Sequence, residues 1–140
     1  MALLARMLER MALRCLIVDD SSRFLRAARV LLEGEGIAVV GVAATAAEAL
    51  TRAGELRPDV VLIDIHLGED SGFTLVRQLD ERAQSVADLP VPLLVLISTH
   101  AGEDFADLIA ASPAVGFLAK ADLSARAVHD LIASVPQERR

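Results

Sequence analysis

Short unbroken apolar runs alternate along this chain with segments in which apolar residues return every three or four positions. The runs are "CLIV" (15–18), "IAVVGVA" (37–43), "VVLIDI" (60–65), "PLLVLIS" (92–98) and "VGFLAK" (115–120). Such runs, short and rich in β-branched residues, predict strands buried on both faces. Pro90 and Pro92 stand at the start of the fourth, where a strand tolerates them.

Between the runs the period changes to that of a helix. Ser21 or Ser22 can cap a first helix whose inward stripe is Phe24, Ala28, Leu31 and Leu32, with Gly34 as its stop. Thr45 and Glu48 form a capping box for a second, which must end before Pro58. A third follows the loop "GEDSG" with Leu75, Val76 and Leu79 inward. A fourth contains Phe105, Leu108 and Ile109, and a fifth, capped by Ser124, carries Val128, Leu131, Ile132 and Val135. The polar stretch "ERAQSVADLP" is long for a connection and has room for an extra turn.

Strand and helix alternating five times predict an α/β domain with a parallel sheet covered by helices on both faces. The expected form is a flavodoxin-like, doubly wound five-stranded sheet of order 2-1-3-4-5 spanning residues 14–137, with 138–140 as a tail. The opening "MALLARMLERMALR" places Leu3, Leu4, Met7, Leu8 and Met11 on one helical face. Arg6, Glu9 and Arg10 break any secretory signal. Residues 1–13 therefore read as a peripheral extension, helical or lying upstream of a natural start at Met11, rather than a membrane or partner anchor.

Composition narrows the class. Apolar residues make up 54% of the 140 positions and charged ones 24%, enough for a core without Trp or Tyr. A formal net charge of -6 argues against direct nucleic-acid binding and suits cations or a basic partner. One cysteine, Cys15, and no apolar run of membrane-spanning length suit a reducing cytoplasm.

The topology brings ligand chemistry to the carboxyl ends of the strands. There the first strand delivers Asp19 and Asp20, the third Asp64, the fourth Ser98 and Thr99, and the fifth Lys120. Each alone has an ordinary reading as a cap, a turn or a solvated charge; four strands ending together with this set do not. Three carboxylates repel, so one keeps its proton unless a cation joins them. Hard oxygen donors favour Mg²⁺, and no His or Cys spacing suggests zinc. A carboxylate beside Mg²⁺ can attack phosphorus, with the Lys120 ammonium and a Ser98 hydrogen bond meeting the transferred oxygens. The reaction expected is phosphoryl transfer onto an aspartate.

At this point the chain resembles the receiver domain of bacterial two-component response regulators. The marks are "LIVDD", "DVVLIDIHLGEDSG", "VLIST" and "GFLAK", in this order and spacing over residues 14–135. The resemblance implies that Asp64 is the phosphoacceptor and that Asp19 and Asp20 organise Mg²⁺, Asp20 directly and Asp19 largely through water. It implies that the backbone carbonyl of His66 is a further ligand, that Ser98 is the switch hydroxyl and that Lys120 pairs with the phosphoryl group. Phe117 matches the aromatic rotamer switch. Phosphate would come from a sensor histidine kinase or phosphotransfer protein. The face of helix four, strand five and helix five would then shift, with phosphorylation-dependent dimers as one outcome. Such a domain assists its own phosphotransfer and dephosphorylation and is not otherwise an enzyme.

Some residues depart from the family pattern. Gly68 stands where a proline is common and is expected to loosen the acceptor loop; Ala121 follows Lys120 where many members have a cis-proline. "ISTH" and "KADLS" look more like receivers of helix-turn-helix regulators than of the chemotaxis class, so a stand-alone receiver and one excised from such a transcriptional regulator are both open. His66 and His100 occupy the two positions that tune phosphate lifetime in the family; the plain alternative is two solvated loop residues. Other classes fit less well. A haloacid dehalogenase-type phosphatase wants an aspartate where His66 stands, and a flavin carrier would not place Asp19 and Asp20 in its phosphate loop. A degenerate receiver that binds constitutively is opposed by the intact Asp20, Asp64, Ser98 and Lys120.

Overall fold

The structure, a computed structural model, describes residues 12–85, 91–100 and 102–136. The amphipathic opening, the second half of the long polar connection and the tail lie outside the described residues. Five strands, β1 (Arg14–Val18), β2 (Ala38–Ala43), β3 (Val60–Asp64), β4 (Leu93–Ser98) and β5 (Gly116–Ala119), pair in parallel in the order β2-β1-β3-β4-β5. Five helices connect and follow them: α1 (Ser22–Gly34), α2 (Ala46–Leu56), α3 (Gly72–Gln84), α4 (Ala106–Ala110) and α5 (Ala125–Ala133). This is the doubly wound order that the pattern predicts.

The continuous apolar runs are explained by what covers each face. Along β1, Cys15 and Ile17 point into a core completed by α1 and α5, while Leu16 and Val18 point into one completed by α2 and α3. Successive strand residues face opposite sides, so a strand covered twice has no polar position to spare. All five residues of β3 are buried. Cys15 is wholly enclosed, and that burial pushes its thiol up to about 12.

The caps follow the expected chemistry. Ser21 Oγ accepts from Phe24 N at 3.2 Å, Thr45 Oγ1 from Glu48 N at 3.1 Å and Ser124 Oγ from Ala127 N at 3.0 Å. The Glu48 carboxylate reaches back to the N–H of Ala44, one residue before the cap. Past Gly34 the chain turns through Gly36, at φ +97°, a left-handed angle that glycine takes without strain. At the far end of α2 the Arg14 guanidinium donates to the carbonyls of Leu56 and Arg57, at 2.7 and 2.8 Å, meeting two acceptors that a helix end leaves open.

Three expectations are corrected. In α1 the inward stripe is Leu25, Ala28 and Leu32; Leu31 is 42% exposed. The helix is turned by one position, so Phe24 is only half-buried, at the edge of the core. The fourth helix is short: a 3₁₀ segment, Gly102–Phe105, holds Phe105, and α4 itself has five residues. No side chain caps α4, and Leu108 is 56% exposed, so of the expected stripe Phe105 and Ile109 pack inward and Leu108 does not.

The acceptor loop, third, is pinned rather than loosened. His66–Leu67 pairs antiparallel with Asp70–Ser71, and Gly68 takes φ +60° at the tight bend between them. Gly72 then packs so closely that a Cβ would lie 2.2 Å from the Asp64 carbonyl oxygen and 2.8 Å from Ile65 Cα. Backbone cannot rotate out of the way, so Gly72→Ala is expected to destabilise the fold by about 3 kcal/mol, at the upper end of typical overpacking costs. Urea unfolding of the variant checks this; unchanged stability would mean the loop has freedom that the packing denies.

Candidate functional site

Each reacting group is placed by the end of a buried strand. The chain leaves β1 with Asp19 completely buried and Asp20 exposed, because adjacent residues of an extended chain face opposite ways. Asp19 is held by two backbone bonds: its N–H donates to the Ala43 carbonyl at 3.0 Å, and its Oδ1 accepts from Ser21 N at 2.8 Å. Asp64 closes β3, 6% exposed, with His66 N donating to its Oδ1 at 3.2 Å. Ser98 closes β4, buried, and its Oγ accepts from His100 N at 3.0 Å. Thr99, the other hydroxyl at that edge, faces solvent.

Lys120, one residue beyond β5, ties the set together. Its Nζ lies 2.5 Å from Asp19 Oδ2 and donates to Asp64 Oδ2 at 3.2 Å. Asp19 Oδ2 finds the ammonium charge but no well-aligned donor, which leaves it a buried oxygen with unused acceptor capacity. The Lys120 ammonium also lies 4.3 Å from the centre of the Phe24 ring, a cation–π contact that covers its outer side.

Carboxylate oxygens of Asp19, Asp20 and Asp64 lie within 4.8 Å of one another. One ammonium against three carboxylates leaves the cluster short of positive charge. Burial, the strongest influence, raises the Asp64 carboxyl above its ordinary value. The His66 N–H opposes that rise, the Asp19 charge adds to it and Lys120 opposes it again. For Lys120, burial pulls the ammonium down, but its close contact with Asp19 and the charges of Asp64 and Asp19 prevail and hold it above its ordinary value. The donor set, all hard oxygens with one buried lone pair free, fits a small divalent cation.

Seven of the residues marked in the sequence, Asp19, Asp20, Asp64, His66, Ser98, His100 and Lys120, thus meet at one rim. Phe117 does not reach it. That ring is half-buried on β5 beneath Gly102, where a Cβ would lie 2.7 Å from the aromatic edge. His66 and His100 are exposed at the rim with ring centroids 5.9 Å apart. Phe24 and Phe105, which touch Lys120 and the two imidazoles, read as core residues in the sequence. Only the place of Phe24 in the first turn behind "DDSS" hinted otherwise. A groove of about 340 Å³ between α2 and α3 lies away from this chemistry, lined by Leu50, Ala53 and Leu79.

The comparisons with known proteins agree with this geometry. A family model described as "Response regulator receiver domain" matches residues 15–132. The chain belongs to the response regulator receiver domain family. It is a receiver of two-component signal transduction. The receiver is 42% identical over 89 residues to a protein-glutamate methylesterase/protein-glutamine glutaminase of Alkalilimnicola ehrlichii, covering 63% of this chain and 21% of that protein. A Vibrio cholerae protein of the same description is 37% identical over 94 residues, covering 66% and 23%. The chain therefore spans between a fifth and a quarter of these relatives' length. Among solved structures, the signal receiver domain of the putative response regulator NarL from Mycobacterium tuberculosis superposes with a TM-score of 0.73 at 25% identity, covering 89% of this chain and 98% of that one. The response regulator domain of Thermotoga maritima CheB gives 0.63 at 25% identity, covering 87% and 91%. The sequence relatives named here are methylesterases, a class the loops did not suggest. Among the described residues no helix is long and apolar enough to cross a membrane.

The raised Asp64 carboxyl carries a stability consequence. Its proton is held more tightly in the fold than in the unfolded chain, so ionised Asp64 costs stability at neutral pH, and the cost fades as pH falls through the raised pKa. In chelator-treated buffer, Asp64→Asn is expected to raise Tm by a few degrees at pH 7, with the gap closing on acidification. Thermal melts across pH check this; a lower Tm at pH 7 would mean the Lys120 contact outweighs burial.

Proposed function

We propose that Asp64 is the phosphoacceptor of a switch formed by residues 14–137. A carboxylate oxygen of Asp64 attacks the phosphorus of a phosphohistidine on a sensor histidine kinase or phosphotransfer protein. The new bond from oxygen to phosphorus forms as the bond from phosphorus to nitrogen breaks, and the imidazole leaves with the electron pair. The Lys120 ammonium, already 3.2 Å from Asp64, faces the transferred oxygens, where fixed positive charge acts strongly in a site poor in water. The Ser98 oxygen is occupied by the His100 N–H, so its own proton is free to bond a phosphoryl oxygen.

Asp19, Asp20, Asp64 and the backbone carbonyl of His66 would hold Mg²⁺, Asp20 directly and Asp19 largely through water. When bound, Mg²⁺ neutralises the remaining carboxylate charge and that of the incoming phosphoryl oxygens. As Ser98 is drawn toward the phosphoryl group, Phe117 turns inward, changing the surface of α4, β5 and α5. That surface serves an output partner, with a phosphorylation-dependent dimer as one form. The domain is a cytoplasmic phosphoacceptor that binds neither membrane nor nucleic acid directly. The single observation that carries this reading is the Lys120 ammonium set between Asp19 and Asp64 at the meeting point of three strand ends. The 42% identity to a methylesterase favours a second reading of the output, in which the receiver controls a larger effector of that class rather than a helix-turn-helix domain.

Incubation of the full chain with acetyl phosphate and Mg²⁺, followed by intact mass, is expected to show a gain of one phosphoryl group that disappears in Asp64→Asn. No gain, or a gain that survives Asp64→Asn, sinks the reading.

A further inference from the structure

The Lys120 ammonium has a third neighbour that is not a carboxylate. Its Nζ lies 2.5 Å from Asp19 Oδ2, 3.2 Å from Asp64 Oδ2 and 4.3 Å from the centre of the Phe24 ring. Among the described residues no other acidic group pairs with it. A lysine carries its charge on a flexible four-carbon stem, and holding that stem still costs rotamer entropy. The side chain also keeps 14% of its surface exposed, so water is within its reach. Two carboxylates attract the ammonium from inside the rim; the ring is what meets it on the other side.

Phe24 is placed by the same turn that places Asp19. Ser21 N donates to Asp19 Oδ1 at 2.8 Å, and Ser21 Oγ accepts from Phe24 N at 3.2 Å. Leu25 takes the core position of that turn, which leaves the Phe24 ring half-buried at the edge of the core. Any apolar side chain would fill that edge. Only an aromatic one offers a cation a face of negative potential.

Such a face differs from a hydrogen-bond acceptor in a useful way. It attracts charge without fixing a direction, and it leaves the N–H groups of the ammonium to other partners. The ammonium can therefore turn from an Asp64 oxygen to a transferred phosphoryl oxygen and keep the same neighbour throughout. A carboxylate or carbonyl in the place of the ring would compete with the phosphoryl group for those N–H groups.

We propose that Phe24 is a positioning residue whose ring face is the pivot on which the Lys120 ammonium turns toward the incoming phosphoryl group, and that it thereby speeds phosphoryl uptake. The proposal rests on Asp64 as phosphoacceptor. With acetyl phosphate as donor, an Asp64 oxygen bonds to phosphorus as the bond from phosphorus to the acetyl oxygen breaks, and acetate leaves with the electron pair. Lys120 assists only while its charge stays at the rim. Without the ring the stem samples rotamers that lead into water, and the ammonium spends less time facing the transferred oxygens.

Two measurements on the full chain test this. Intact mass follows uptake from acetyl phosphate and Mg²⁺, a donor too small to need a protein docking surface. Phe24→Leu, which keeps an apolar side chain at the edge of the core, is expected to slow uptake about three- to tenfold, and Phe24→Tyr to stay within about twofold of the parent. The second measurement needs no phosphoryl group. Lys120 is the chain's only lysine, so lysine isotope-labelled at Cε gives a single NMR resonance. In Phe24→Leu its ε protons should lose the ring's shielding and move downfield, and its order parameter should fall toward that of a free side chain; Phe24→Tyr should keep both. Uptake unchanged in Phe24→Leu, uptake as slow in Phe24→Tyr as in Phe24→Leu, or an order parameter that does not fall in Phe24→Leu overturns the pivot. A parent chain that takes up no phosphoryl group overturns the phosphoacceptor reading instead, and the lysine resonance still decides whether Phe24 holds the ammonium.

Discussion

Two buried carboxylates sharing one ammonium set the terms for the rest of the rim. Asp19 and Asp64 are taken out of water at the ends of β1 and β3, and Lys120 reaches them from β5. Desolvation of paired charges is costly, and their attraction offsets it only where the geometry is fixed. The fold supplies that fixity with strands that have no exposed residue at all. Even so, the account is left unbalanced: the Asp64 carboxyl stays raised and Asp19 Oδ2 stays without an aligned donor. A site held in that condition gains from any further positive charge that arrives. This is the physical reason a receiver can respond to a cation and a phosphoryl group together.

Most of this was legible in the sequence because it rests on strand ends. A buried strand in a parallel sheet must read as an apolar run, and the first residue after it must lie at the carboxyl edge. Asp19, Asp64, Ser98 and Lys120 could therefore be assembled from four runs without knowing any contact. The burial of Asp19 and exposure of Asp20 follow from strand alternation but need the exact last residue of β1, which periodicity does not supply. Leu31 and Leu25 show the same weakness in a helix: both fit a 3.6-residue stripe, and only packing against β2 and α5 decides between them. The helix around Phe105 was overestimated because spacing predicts a face and not a length; without a capping side chain, the α-helix begins only at Ala106, after a 3₁₀ turn. The Gly68 bend failed differently, since a positive φ can either free a loop or close it, and the partner pair His66–Ser71 is visible only in three dimensions.

The relatives sharpen what kind of object this is. Its likeness to the methylesterases is concentrated in a stretch that makes up little more than a fifth of their length, and its likeness to NarL covers nearly the whole of that receiver. In this chain the surroundings of the carboxyl edge include two imidazoles and three phenyl rings within contact of the reacting groups or of each other.

The enclosed Cys15 has a practical meaning. Its thiol is sealed inside β1, next to the acceptor strand β3, and it is the chain's single cysteine. Toward alkylating reagents the native molecule therefore behaves as though it had no cysteine, and the thiol becomes reactive only when the sheet itself opens. The rate of that reaction in native buffer is a built-in gauge of global opening. It reads, with no mutation and no dye, how firmly the sheet is held when cation or phosphoryl group is bound at its edge.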